Sequence, residues 1–561
     1  MTKMDKDVDL LIIIPPARSR HSIWLPYGAL YVISFLRKNG YRADILNVDK
    51  ERINNAEVIN RIRKIDPRYI GYSGMVATNY KYIKDLSFEI KKAFPDKTQI
   101  LGGGLACAAE VILKNTPIDI VVYGEGEVTA IELLGRLDSR GDPGTVKGIF
   151  YRPRQDQVLF TGKRQVILDL DTIPYPAFDV LDVKDYLTDG VKFIRNFTGK
   201  RLDKRIYDKR RHRNMINILT NRGCIGECSF CVRPDAGLRL NSIKYVFDFM
   251  KYCTDKFDTG FFSFGDECFA PNKARNWEFI EEYKRRKLDV VFRILGMRVD
   301  TVDRDILKAY KDIGCWMIGY GFESGSQKML NIIDKHVTVD QNRNVAIWTN
   351  ELGMHTTPQL ILGMPGETDQ TIGQTIDFLK SLNFDFKQYK WTHALPIPGS
   401  HLYNYARSVG AIPDEDQYLY SIGEIEGTSV FHINITDEAD DVVARWPDRI
   451  KEEVDDHYFY IRYGTRNRLM KRVLGVIESI KLHIIRRDLA EALLIKLNTA
   501  VCSILNMKRE KAIIQKKNVR YKKLKDVRFE EYLRDHDCSI LSRDIALKKI
   551  NQRVAEKYGA A

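Results

Sequence analysis

Two long stretches of this chain alternate short apolar runs with helical segments, and that alternation leaves few architectures open. In the first stretch Val8–Ile14, Ala43–Val48, Tyr69–Ser73, Gln99–Leu101 and Ile118–Val122 read as strands, with Tyr27–Asn39 and Lys81–Ala93 as helices between them. Near-continuous apolar strands separated by helices predict a parallel sheet covered on both faces, a doubly wound α/β domain. Glycines fall just after the strands: Gly74, then Gly102, Gly103 and Gly104, then Gly124 and Gly126. In an open parallel sheet the ligand crevice lies at those strand ends. Glycine there lets a flat or bulky ligand approach the backbone.

The alternation resumes at Asn214. Ile216–Thr220, Thr259–Phe264, Val290–Gly296, Trp316–Gly319, Thr356–Leu362 and Tyr389–Ala394 read as six strands, with helices over Ile243–Thr254, Trp277–Lys287, Asp303–Ile313, Val339–Leu352 and Asp369–Leu382. Six strand–helix repeats predict a partial (β/α)6 TIM-type barrel with its active site at the strand C-termini. The expected division is 1–150 for the first domain, 151–211 for a linker, 212–420 for the barrel and 421–561 for a basic helical region. The linker reading rests on the Pro-punctuated DLDTIPYPAFDVLD and the basic RLDKRIYDKRRHR.

Composition narrows the class. A chain of 561 residues exceeds one ordinary core, and 44% apolar with 29% charged residues suits a soluble globular protein. No run approaches the roughly 18 to 20 apolar residues of a spanning helix. The N-terminal apolar run lacks a basic n-region and a cleavage site, and Pro15-Pro16 ends it, so it reads as a buried strand and the cytoplasm is the expected compartment. The net charge of +14 is concentrated at one end: residues 465–561 carry 24 Lys and Arg against 11 Asp and Glu. This asymmetry points to an anionic partner for the tail.

Nine cysteines in a chain this long do not make a disulfide framework. Three of them fall within eight residues, in NRGCIGECSFCVRP, as Cys224-x3-Cys228-x2-Cys231. One glycine-bearing loop with this spacing can ligate three irons of a cubane cluster and leave the fourth open to a substrate. The competing reading is zinc. Structural zinc wants four closed ligands, usually in two separated pairs; Cys253, Cys268 and His212 could supply a fourth, but none has the expected spacing.

The cysteine loop, with an aromatic residue (Phe230) before its last cysteine, resembles that of the radical S-adenosylmethionine (SAM) superfamily. SFGDECF (263–269), GMRVD (296–300), GCWMIGYGFESGSQKML (314–330), LGMPGET (362–368) and ALPIPGSHLY (394–403) resemble its later-strand segments. The resemblance implies a [4Fe-4S] cluster on Cys224, Cys228 and Cys231. It implies that Phe230, Gly265, Asp266, Glu267, Arg298, Glu323 and Ser324 lie about SAM, with Gly265-Asp266-Glu267 in the place of a Gly-Gly-Glu motif that contacts the methionine amino group. The first step of that motif is Phe264-Gly265 here, a partial match. It further implies that SAM chelates the fourth iron, that one electron breaks its S–C5′ bond, and that the 5′-deoxyadenosyl radical abstracts a hydrogen atom. Read singly, each flanking residue has a structural alternative: Glu323 as a helix cap, Asp266 and Glu267 as solvated acids, Arg298 as an ion-pair partner.

Residues 8–150 resemble the Rossmann-like cobalamin-binding domain that precedes many radical SAM domains, through PPARSRHSIWLPYGALYVISFLRKNGY (15–41), GYSGMVATN (71–79), ILGGGLACAAE (100–110) and YGEGEVTAIELL (123–134). This implies a corrin site on Ser73, Gly74, Met75, Thr78, Gly102, Gly103, Gly104, Gly124, Glu125 and Gly126. The domain lacks the Asp-x-His-x-x-Gly motif of a lower axial histidine, and its only histidine is His21. The domain order resembles that of class B methylases and of the bacteriochlorophyll ring cyclase. It implies methyl transfer from cobalamin to an unactivated carbon, with an oxidative cyclase as second reading. A zinc-bearing nucleic-acid-binding protein is the distant third.

Residues 466–505 can form amphipathic helices, and 507–528 is more basic still. A solvated helical cap, docking at an anionic membrane surface beside a lipid-linked substrate, and a phosphate-rich partner compete as readings. No RNA-binding motif accompanies the charge, which places nucleic acid last. Basic tails also bind acidic electron donors such as flavodoxin or ferredoxin. The substrate, small or lipid-linked, is not identified; Tyr389, Trp391 and His393 stand near the expected barrel mouth, as pocket lining or as core.

Overall fold

The computed structural model describes residues 7–16, 22–154, 157–198, 212–463 (apart from 233, 236, 383, 385–388 and 426–429) and 521–535 (apart from 524 and 526). The basic segments at 466–505 and 507–520, and His21, lie outside the described residues.

The first sheet is built from β1 (Leu10–Ile14), β2 (Ala43–Asn47), β3 (Tyr69–Ser73), β4 (Thr98–Gly102), β5 (Ile120–Val122), β6 (Ile149–Arg154) and β7 (Gln157–Phe160). Its order is β2-β1-β3-β4-β5-β6-β7, parallel through β5. The helices between are α1 (Tyr27–Lys38), α2 (Val48–Glu51), α3 (Asn55–Ile65), α4 (Tyr80–Ala93), α5 (Ala109–Asn115) and α6 (Gly126–Asp138). The order 2-1-3-4-5 is a doubly wound topology with its crevice at the β1/β3 switch. Every residue of β1 is buried, as an interior parallel strand requires.

β6 and β7 add an antiparallel hairpin to this sheet. The sheet therefore runs past residue 150 to Phe160. Beyond it, β8 (Thr188–Asp189) and α7 (Gly190–Thr198) join the second half. The span read as a linker thus contributes strands to both sheets; its prolines and charges masked two short edge strands, where pattern is weakest.

The second sheet follows β9 (Asn214–Ile218), β12 (Thr259–Phe264), β13 (Val291–Met297), β14 (Cys315–Glu323), β15 (Gln359–Leu362) and β16 (Lys390–His393), all parallel and in chain order, with β8 antiparallel on the β9 edge. These are the six expected strands of a half-barrel. A separate antiparallel pair, β10 (Asn221–Gly223) and β11 (Leu238–Leu240), brackets the cysteine loop. The outer face carries α8 (Ile243–Phe257), α9 (Lys273–Arg286) and α10 (Arg304–Asp312); Phe279 packs on Phe264 and Phe292, Tyr310 on Phe292, and Phe247 on Phe279. Further along come α11 (Gln327–Ile332), α12 (Val339–Glu351), α13 (Asp369–Ser381), α14 (His401–Ser408), α15 (Glu415–Ile422) and α16 (Asp440–Tyr463). No helix among the described residues is long and apolar enough to cross a membrane.

Candidate active site

β9 ends at Ile218, and the chain turns at once into the cysteine loop. Asp266, at the end of β12, fixes that turn: its buried carboxylate accepts Thr220 N–H at 2.6 Å, Asn221 N–H at 3.1 Å and the Thr220 hydroxyl at 3.0 Å. Burial pushes Asp266 up to about 7 against the pull of these bonds. Gly223 closes the loop with φ +86, and a Cβ there would overlap Gly237 O. Only glycine satisfies both conditions.

The loop's thiols fit an iron–sulfur cube. Gly226 N–H donates to Cys224 Sγ at 3.3 Å. A Cβ on Gly226 would stand 3.6 Å from Cys224 Sγ and 3.8 Å from Cys228 Sγ, so the two sulfurs flank a cradle that a side chain would fill. Zinc would draw its sulfurs to within about 4 Å of one another, given Zn–S near 2.3 Å. Among the described residues the only three-membered set of ligand atoms within 4.8 Å of one another is Glu227, Asp334 and His336. The three loop thiols do not all lie within 4.8 Å of one another. Of the cysteines outside the loop, Cys253 packs in the core. Cys268 is wholly buried beside Cys224, and the hydrogen bond between these two thiols, together with burial, pushes the Cys268 thiol up.

Cations surround the thiols. Arg298 reaches over the loop, its Nη1 within 2.8 Å of the Gly226 Cβ position, and pairs with Asp300 at 2.8 Å. Burial opposes the Arg298 charge, but Asp300 and the Cys228 and Cys224 thiols hold it firmly protonated. Lys335 Nζ lies 2.8 Å from Glu323 Oε1. Glu323 ends β14 at φ +60, a left-handed conformation that marks a constrained, non-random position.

A single cavity of about 370 Å³ runs from the first sheet to this loop. One part of it is a slot between the sheet and helices α1 and α6, lined by Gly28, Ala29, Gly71, Gly102, Gly126 and Ala130. A Cβ on Gly126 would come within 2.9 Å of Val32 Cγ2, and one on Gly103 within 2.7 Å of Gly74 O. Gly103 and Gly126 are therefore required by close approach of the chain to itself, while Gly102 leaves its side of the cavity open. Beside the cysteine loop the cavity meets Arg222, Gly223, Asp235, Arg239 and Glu267.

The B12 binding domain family matches residues 15–134, and the Radical SAM superfamily matches residues 218–379. This chain is a radical SAM protein with a B12-binding domain. With these domains come three cofactors, a [4Fe-4S] cluster, SAM and cobalamin. Among curated relatives, an uncharacterised methyltransferase of Pyrococcus horikoshii is 27% identical over 412 residues, 72% of this chain and 83% of its own. The anaerobic magnesium-protoporphyrin IX monomethyl ester cyclase of Rubrivivax gelatinosus is 27% identical over 408 residues, 71% of this chain and 69% of its own. Among solved structures, the radical SAM methyltransferase TsrM of Kitasatospora setae shares the fold at TM-score 0.55 and 16% identity, covering 72% of this chain and 76% of that one.

The radical SAM domain places the expected residues unevenly. Glu267 lines the cavity, and Gly265 lies under the Trp24 ring of the B12-binding domain, where any Cβ would overlap it. Asp266 faces inward onto the cysteine loop, so the carboxylate expected near SAM is a structural clamp. Ser324 turns its hydroxyl to Thr375 of α13 at 3.2 Å rather than into the site. Phe230 is half-buried and packs against the core. In the B12-binding domain, Ser73, Gly102, Gly103, Gly124, Glu125 and Gly126 line the cavity. Gly74, Met75, Thr78 and Gly104 do not: Gly74 packs on Leu105, Gly104 on Met75 O, and the Thr78 carbonyl on Gly423. Tyr389 donates to Asp455 at 2.7 Å and stacks with Trp391, while His393 packs on Phe431. The Tyr389 and His393 side chains are buried, and neither lines the cavity beside the cysteine loop.

What sequence reasoning missed is the seam between domains. Glu125 accepts from Arg222 at 2.6 Å, Arg239 at 2.8 Å and Ile167 N–H at 2.7 Å, while Glu127 accepts from Arg222 at 2.5 Å. Burial disfavours the Glu125 charge, but the two arginines outweigh it and hold its carboxyl below the usual range. Arg222 directly precedes Gly223 and Cys224 and pairs across β10–β11 with Arg239, so the B12-binding domain grips the base of the cluster loop through two guanidinium groups. Replacing Arg222 with Met leaves two buried carboxylates short of a partner. We expect a loss of roughly 3 to 5 kcal/mol of stability, read as the denaturant midpoint of the metal-free protein.

Two histidines set an acid limit. Burial pulls both His393 and His432 down to about 4 from 6.5. Their folded pKa values lie below the unfolded ones, so their contribution is present above pH 6.5 and is lost as pH falls toward 4. Each is worth at most about 3 kcal/mol. The denaturant midpoint should fall across that window, and His393→Phe should shrink the fall.

Proposed function

We propose that this protein transfers a methyl group from SAM, by way of its corrin, to an unactivated carbon of a small or lipid-linked substrate. The observation that carries this reading is the continuity of the cavity. One space is lined by Gly102, Gly124 and Gly126 of the B12-binding domain and by Arg222, Gly223 and Glu267 beside the cluster loop. When bound, the cluster supplies the electron that splits SAM and the corrin supplies the methyl carrier. The chain's own tasks are to hold the cluster loop through Asp266, Gly223 and Arg222, to keep cations beside the thiols through Arg298 and Lys335, and to close the site with Trp24 over Gly265. Glu267, exposed at the cavity, would take the SAM amino group.

The electron would come from an acidic carrier such as flavodoxin or ferredoxin, whose charge complements the 24 Lys and Arg of residues 465–561. The cyclase relatives favour a second reading, radical oxidation without methyl transfer. SAM bearing a trideuterated methyl group separates the two. Under reducing, anaerobic conditions the extracted corrin should gain the labelled methyl; a corrin that never acquires label while deoxyadenosine accumulates would favour the cyclase.

A further inference from the structure

The inner face of the half-barrel departs from a packed apolar core. Its lower part is conventional: Met215, Phe261 and Val291 pack with Val191 and Ile194 of α7. The next rung is polar on three strands: Asn217, Ser263 and Arg293 stand in register on β9, β12 and β13, beside Met317 of β14, which packs in the same apolar cluster as Phe261 and Val291. Barrel interiors are ordinarily filled by branched apolar residues.

Arg293 is the anomaly in that rung. Its residue is 4% exposed. Its Nε donates to the Ser263 hydroxyl at 2.8 Å, and its guanidinium lies 4.5 Å from the Phe193 ring of α7. No carboxylate pairs with it among the described residues, and its terminal nitrogens have no hydrogen-bond partner there. Burial alone lowers its pKa to about 10, so it remains a cation at neutral pH. On the inner face of β12 to β15, the first acid is Glu323, at the mouth, and that is engaged by Lys335. A buried cation that finds no counter-ion among the described residues is costly, and an isosteric apolar residue would be more stable there. Its retention inside a barrel calls for an anion.

We propose that Arg293 anchors an oxyanion of the substrate, a carboxylate or a phosphate, inside the half-barrel below the SAM-binding strand ends. Ser263 is two residues before Gly265, about 7 Å along the strand, so a substrate held here extends its body toward the cluster loop. Gln359 of β15, whose amide nitrogen lies 3.6 Å from the Gly319 Cβ position, is exposed on the neighbouring strand, and Glu323 with Lys335 occupies the space beside Gly321. The guanidinium fork suits two-point contact with either anion. The inference deepens the proposed function and rests on it for the direction in which the substrate extends.

The test is thermal unfolding of the cluster-loaded protein in inorganic phosphate, in acetate and in chloride at matched ionic strength. The wild type should gain stability in phosphate or in acetate, and which one identifies the group. Arg293→Met should lose that gain while melting no lower than the wild type in chloride. Arg293→Lys, which keeps a charge but not the fork, should respond less than the wild type and covers the case in which the Met variant does not fold. A wild type indifferent to all three salts, or variants that respond as fully as it does, would overturn the proposal. Deoxyadenosine release is measured separately on the wild type. Its absence beside an intact anion response would defeat the proposed function and leave the anchor standing.

Discussion

Changing Cys224, Cys228 or Cys231 to Ala should strip the protein of its cluster and reduce 5′-deoxyadenosine release to background. The expectation follows from the loop's construction. Three thiolates are the only protein ligands the cubane reading provides, and the fourth iron is left for SAM. Removing one leaves two ligands for a group that needs three. The fold should survive, because the loop is held from outside by Asp266 on Thr220 and Asn221 and by the β10–β11 pair, none of which involves a thiol. Iron content and circular dichroism measured together check both halves. An unfolded variant would leave the iron loss uninformative, and Cys268 supplies a control. It touches Cys224 but lies on a different strand end, so Cys268→Ser should keep about four irons per chain.

Filling the slot in the B12-binding domain should abolish corrin uptake and spare the cluster. Gly28 is the place to do it. It lines the slot on α1, and a Cβ there meets nothing within 4 Å. Leu at this position gains up to about 1 kcal/mol of helix propensity over glycine and projects its side chain into the space. Gly103 is a poorer choice, because its φ of +94 and the approach of Gly74 O would break the loop itself. Gly28→Leu should therefore be at least as stable as the wild type, hold its iron, cleave SAM, and fail to take up cobalamin. Corrin absorbance after reconstitution reads the loss. Uptake at wild-type level would mean that the corrin does not occupy the slot.

The fold was largely legible because strand and helix periods are local signals. The six barrel strands and the parallel strands of the first sheet follow from apolar runs such as Ile216–Thr220 and Tyr69–Ser73. The cysteine loop was legible because its three ligands share one turn of chain. The seam was not. Glu125 and Arg222 lie 97 residues apart, and nothing in GEGE or NRGC says that one closes on the other. Asp266 misled for the related reason that a motif fixes a position but not the direction of the side chain. Arg293 looked like any strand arginine until its neighbours were known; an unpaired buried charge is a property of surroundings, which a strand pattern does not carry.

The most direct measurement is SAM cleavage by the wild-type protein, purified without air, reconstituted with iron, sulfide and cobalamin, and reduced. The account predicts a brown protein with about four irons per chain that converts SAM to 5′-deoxyadenosine and methionine. Colourless protein holding one zinc, or iron-loaded protein that leaves SAM intact under a strong reductant, would contradict it.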